Sequence, residues 1–189
     1  MSKNLLFEYL VFRLDEWKKK IESTGKSVPA FTKLRLQKIL FLVCAWNTTN
    51  ADRKLLNVFN SFYALPYGPV EMDIYEAMKS NRTFQYISFN GNKCVYSKLE
   101  KSLFEGDDSK GTKWIDEAIN FFIQDRRRYL YMPIFDLVEL THRWSYNPQN
   151  EAFLHSRTSR AISQNETYRR NTPYPPLKNR PAYAGIHIL

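Results

Sequence analysis

Residues 62–78 read FYALPYGPVEMDIYEAM, and their interpretation decides how the two halves of the chain are joined. Pro66, Gly68 and Pro69 fall within four positions of a chain that has only six glycines. Upstream, NVFNSFYA (57–64) is rich in aromatic and small residues, which predicts a short strand ending at Ala64. Downstream, Pro69 suits the first turn of a helix, where its missing N–H is no loss. Val70, Ile74, Ala77 and Met78 then share one face behind the acidic pair Glu71 and Asp73. The expected geometry is a strand-to-helix corner. A tight turn by itself demands such residues, glycine for a positive φ or a close backbone approach and proline to start a helix, with no function implied.

Toward the N-terminus, Phe7, Leu10, Leu14, Trp17 and Ile21 alternate at three- and four-residue spacing, which predicts an amphipathic helix over 4–24 closed by Gly25. Thr32 is a candidate N-cap for a helix running to about Asn47 that becomes apolar on nearly every side and so belongs at the centre. In FQYISFNGNKCVYS (84–97), Asn90-Gly91 between two β-prone runs predicts a hairpin with a two-residue turn. The expected sheet combines this hairpin with the 57–64 strand. Thr112 can cap a helix whose Trp114, Ile115, Ala118, Ile119, Phe122 and Ile123 form an apolar stripe ending near DRRRYLYM, and a further helix covers 134–144. One more short helix is expected after Pro148; Pro173, Pro175, Pro176 and Pro181 break up the chain beyond Asn171. The predicted fold class is α+β, mainly helical, with a central buried helix surrounded by amphipathic helices and a small antiparallel sheet or hairpin. The domain is expected over 1–155, with a basic, proline-rich extension over 156–189.

The 189 residues are 43% hydrophobic and 15% aromatic, enough to bury a core. No run approaches the ~20 apolar residues that a bilayer span requires, so membrane insertion is not expected and a cytoplasmic location is. Of the net charge of +9, residues 155–189 hold a disproportionate share: Arg157, Arg160, Arg169, Arg170, Lys178 and Arg180 against Glu166 alone. A cationic segment of this kind attracts nucleic acid, an anionic membrane surface or an acidic protein alike. Cys44 and Cys94 have neither CxxC spacing nor the histidines to complete a zinc site, and read as reduced core residues.

Three dispersed histidines and the absence of any glycine-rich phosphate loop, HExxH or GxSxG motif point away from an enzyme. No catalytic, cofactor-binding or metal-ligating set is therefore assigned. His142 reads first as a structural residue late in a helix, and only secondarily as a base. Arg126, Arg127 and Arg128 are the strongest anion-binding candidates, because guanidinium groups grip carboxylates and phosphates bidentately; cations also favour helix C-termini for purely local reasons. Arg169 and Arg170, interleaved with Tyr and Pro, suit stacking on nucleobases or ordering on a protein surface.

Three segments read together narrow the choice. KLRLQKILFLVCAWN (33–47), FYALPYGPVEMDIYEAM (62–78) and LVELTHRWSYNPQNEAF (137–153) occur in an order and at separations that resemble the Panacea domain, the SocA-like antitoxin domain. The resemblance spans roughly residues 5–155. Its most specific part combines Leu36-Gln37-Lys38 with Tyr67-Gly68-Pro69-Val70, and His142 with Trp144 represents the third motif. It implies a scaffold built from these residues and an antitoxin without catalysis or cofactor, which neutralises a cognate toxin by direct binding; one relative is described as a proteolytic adaptor, which makes a protease a candidate second partner. Arg126–Arg128 and the tail arginines are then the candidate contacts. The alternative is a nucleic-acid-binding regulator working through the basic tail.

Overall fold

Ser2 and Thr32 open the first two helices in the same way, each hydroxyl oxygen accepting from a backbone N–H three residues on (Leu5 and Arg35, both 3.2 Å). A computed structural model describes residues 1–46, 52–80, 83–104, 110–125 and 128–145. In it, α1 spans Lys3–Glu22 and ends with Lys19 and Lys20 in its last turn, followed by Gly25 at φ 80°. Helix α2 spans Lys33–Ala45, and every side chain from Arg35 to Ala45 is buried. It packs against α3 (Met72–Ser80), α4 (Lys110–Gln124) and α5 (Ile134–Ser145), as well as α1. The all-round apolar pattern read from the sequence thus marks the central helix. The expected helix after Pro148 and the proline-rich arm lie outside the described residues.

The fold is mainly helical α+β, with two separate antiparallel ribbons instead of one combined sheet. Strands β1 (Phe62–Leu65) and β2 (Gly68–Glu71) pair with each other, and β3 (Ser88–Asn90) pairs with β4 (Lys93–Val95). The 62–65 strand finds its partner locally because the chain reverses within Pro66-Tyr67, and closing so short a loop costs little entropy. Residues 54–57, partly expected as strand, form a 3₁₀ turn (Lys54–Asn57), and a second one covers Lys101–Phe104.

Pro69 is likewise not in a helix. It lies in β2 opposite Ala64, and α3 begins only at Met72. With Leu65 and Gly68 flanking a two-residue loop as a hydrogen-bonded pair, the alternation of an antiparallel ladder turns the position of Pro69's missing N–H away from β1. The second hairpin shifts by one residue from expectation. Its loop is Gly91-Asn92, and of the two only Gly91 has positive φ (57°), the pattern of a turn with glycine at its first central position. This register points Phe89 into the core.

Helix α4 starts two residues before Thr112, which is buried inside it instead of capping it. Gly111 allows this helix start to press on α1, since a Cβ there would lie 2.7 Å from Leu6 Cδ2. Two buried carboxylates on α1 tie it to the second hairpin. Glu8 Oε1 accepts from the N–H groups of Tyr86 (2.6 Å) and Ile87 (3.1 Å), and Asp15 accepts from the Tyr96 hydroxyl (2.9 Å). That hairpin is also sewn to the start of α2 by Cys94 N–H to Phe31 O and Lys33 N–H to Asn92 O, both 2.8 Å. Cys44 is buried and Cys94 half-buried, and neither forms a disulfide. Among the described residues no helix is long and apolar enough to cross a membrane.

Candidate functional site

Gln37 and Lys38 sit one turn into α2, fully inside the protein, and both reach β2. The Gln37 side-chain amide accepts from Glu71 N–H (2.9 Å) and donates to Glu71 C=O (3.3 Å), as a neighbouring strand would. Lys38 Nζ donates to the Pro69 carbonyl at 2.7 Å. The outer edge of β2 is therefore satisfied by two side chains of the central helix, and at Pro69 there is no N–H left to satisfy. Lys38 is 0% exposed and forms no ion pair among the described residues. Burial alone pulls its pKa down from 10.5 to about 7, because an ammonium is costly without water or a counter-charge.

Gly68 is where the third segment arrives. Its φ is +88°, and a Cβ there would lie 2.9 Å from His142 Cδ2 and 3.1 Å from both His142 Nε2 and Thr141 Oγ1. Glycine is required twice over: for the left-handed backbone, and for the close approach of α5. Pro66 holds its own φ near −65°, which excludes a turn with positive φ at that position, and the positive φ falls instead at Gly68, just after the turn. Thr141 is buried, its hydroxyl donating to Val138 C=O at 2.8 Å.

Glu71, also 0% exposed, joins this knot to two more helices. Its Oε2 accepts from Ile74 N–H (2.8 Å), capping α3, while Oε1 accepts from Ser61 N–H (3.2 Å) and from Lys3 Nζ (2.8 Å). Lys3 also meets Asp73 at 2.5 Å and Asn60 Oδ1 at 3.1 Å. Burial works against the Lys3 ammonium, but its bonds to Asp73 and Glu71 outweigh this and raise its pKa; the same Lys3 bond is the main cause that lowers Asp73.

The structure thus brings together Gln37, Lys38, Gly68, Pro69 and His142 from the three motif segments, with Leu36 and Val70 buried next to them in the chain, and adds Lys3, Glu71 and Thr141. Trp144 lies in the last turn of α5. Tyr67 is the exception: flanked by buried neighbours on its C-terminal side, it is 54% exposed at the tip of the β1–β2 turn. Helix α4 stops at Gln124. Arg128 lies in the turn beyond it, exposed, at φ 59°, with its guanidinium 5.9 Å from the Tyr131 ring centroid. Arg126, Arg127, Arg169 and Arg170 lie outside the described residues.

Glu71 was legible as acidic and Lys3 as basic, but nothing in their spacing paired them; Glu71 read as a first-turn helix residue when it is a buried cap. Arg35 gave no signal at all. It is buried, donates to Leu130 C=O at 3.1 Å, and burial lowers its pKa. The polar atoms of this assembly are largely spent on backbone groups, so its evident chemistry is to hold α2, β2, α3 and α5 in one arrangement.

The family model described as antitoxin SocA-like, Panacea domain, matches residues 36–145, more than half of the chain, beginning at the first motif and ending at the last residue of α5. No curated protein and no solved structure matches. Gln37, Lys38, Gly68, Pro69 and His142 of this knot all lie within the matched residues, and the chain belongs to the SocA-like antitoxin family with the Panacea domain.

Proposed function

We propose that this protein is the antitoxin of a toxin–antitoxin pair and neutralises its cognate toxin by binding it directly, without catalysis. The observation that carries this reading is the family match over 36–145, which coincides with the buried knot of Lys38, Gln37, Gly68 and His142. Such a knot supports recognition because a surface held rigid before binding loses less entropy on association. Polar groups turned inward onto backbone atoms also agree better with a scaffold than with a reaction centre. The exposed Arg128 offers a cation to an acidic partner, in keeping with the frequency of arginine at interface hot spots.

The test is co-expression with each product encoded beside this chain, scoring relief of growth arrest and co-purification of a stable complex. Failure to relieve any of them refutes the proposal. Gel shifts on DNA upstream of the coding region, at two salt concentrations, test the nucleic-acid alternative, whose binding must fall steeply with salt.

A further inference from the structure

We infer that Tyr67 is a principal toxin-contacting residue and that the β1–β2 turn, held in place by the buried knot, presents it to an apolar pocket on the partner polypeptide. This rests on the antitoxin reading above and specifies where the contact is made. Four features fix the chain on either side of Tyr67. Lys38 holds Pro69 C=O at 2.7 Å, and Gln37 clasps both backbone groups of Glu71. Gly68 packs where no Cβ fits against His142, and Pro66 restricts φ at the tip.

Gly68, Pro69, Val70 and Glu71 are buried, whereas Pro66 and Tyr67 face solvent, Tyr67 with 54% of its surface accessible. Among the described residues, the Tyr67 ring and hydroxyl contribute no hydrogen bond or ring contact to the fold. A large aromatic that makes no hydrogen bond or ring contact at home, more than half exposed on a turn so thoroughly fixed, has the properties of an interface anchor: broad contact area, few rotamers to freeze and a polar tip. The partner chemistry that fits is a polypeptide pocket lined by apolar side chains, with a hydrogen-bond partner at its rim for the hydroxyl. The same exposure makes Tyr67 separable from folding, which the buried motif residues are not.

The probe is the adjacently encoded polypeptide whose growth arrest the wild-type chain relieves, titrated against purified wild type, Tyr67→Ala, Tyr67→Phe and, as an exposed control on the other hairpin, Val95→Ala. The expected result is that Tyr67→Ala binds about 30-fold or more weakly and fails to protect, Tyr67→Phe loses only a few-fold, and Val95→Ala matches wild type, all four with the same thermal midpoint to within about a degree. Equal affinity of Tyr67→Ala and wild type overturns the inference while leaving the antitoxin reading intact, and so does an equal loss in Val95→Ala. If wild type binds none of the adjacent products, the antitoxin reading itself falls and takes this inference with it.

Discussion

Replacing Lys38 by methionine tests the account of the knot most sharply, because its effect should change sign with pH. In the folded protein burial holds Lys38 near pKa 7 against 10.5 for a free lysine. Above pH 10.5 the amine is neutral in both states and nothing is lost. Between 10.5 and about 7 the unfolded chain carries a proton that the folded chain does not, so stability falls by about 1.4 kcal/mol for each pH unit descended. Below about 7 both states are protonated, and the penalty levels off at about 5 kcal/mol.

Methionine fills similar volume and never ionises, but it leaves the Pro69 carbonyl without its donor, at a cost of about 1–3 kcal/mol. Lys38→Met should therefore be more stable than wild type by about 2–4 kcal/mol near pH 6 and less stable near pH 10, crossing between about pH 8 and 10. Urea denaturation of both proteins across this range provides the difference curve, in which titrations elsewhere in the chain cancel. A difference that stays flat with pH refutes the reasoning, since it means that the ammonium keeps its proton on folding.

Gly68→Ala should cost about 2–5 kcal/mol, combining a left-handed backbone with a Cβ forced against His142 and Thr141; adding His142→Ala should recover only the contact part. Denaturant midpoints of the two variants separate the terms. Lys3→Met should cost about 2–4 kcal/mol by stripping the counter-charge from buried Glu71, and a double-mutant cycle with Glu71→Gln should show coupling above about 1 kcal/mol. Acid titration should weaken the Lys3–Asp73 link: Asp73's folded pKa lies below its unfolded value, so its contribution is present above the usual carboxylate range and lost as pH falls through the folded value. Asp73→Asn should flatten that part of the stability profile. Gly111→Ala should shift the thermal midpoint down by several degrees through its contact with Leu6, and Leu6→Ala in the same chain should relieve the contact while costing core volume.

Much of the fold was written locally. Thr32 announced the start of the central helix and caps it; the two-residue reversal near Asn90-Gly91 is present, one position later than the strongest dipeptide signal suggests, because within that turn the positive φ is at Gly91. Pro69 misled for a physical reason: a proline is equally at home in a helix's first turn and on a strand edge with no N–H to pair, and only the neighbour across that edge distinguishes the two. Thr112 misled because the cap preference is a preference for a hydroxyl before a helix, and this helix had already begun at Lys110. For the candidate site, the sequence named most of the residues of the knot but gave Tyr67 the same scaffold role as its buried neighbours.

Local sequence was enough to specify the helices, the reversals and the family to which the chain belongs, since periodicity, caps and turns act over a few residues. Three-dimensional packing was needed for Lys38 to meet Pro69, for Gln37 to meet Glu71, and for Lys3 to reach Glu71, bonds that span 31, 34 and 68 positions. The first two pairings arise because burying α2 on all sides strands the polar groups of positions 37 and 38 away from water. They must then find partners in whatever backbone the packing brings alongside. That packing also leaves Tyr67 outside.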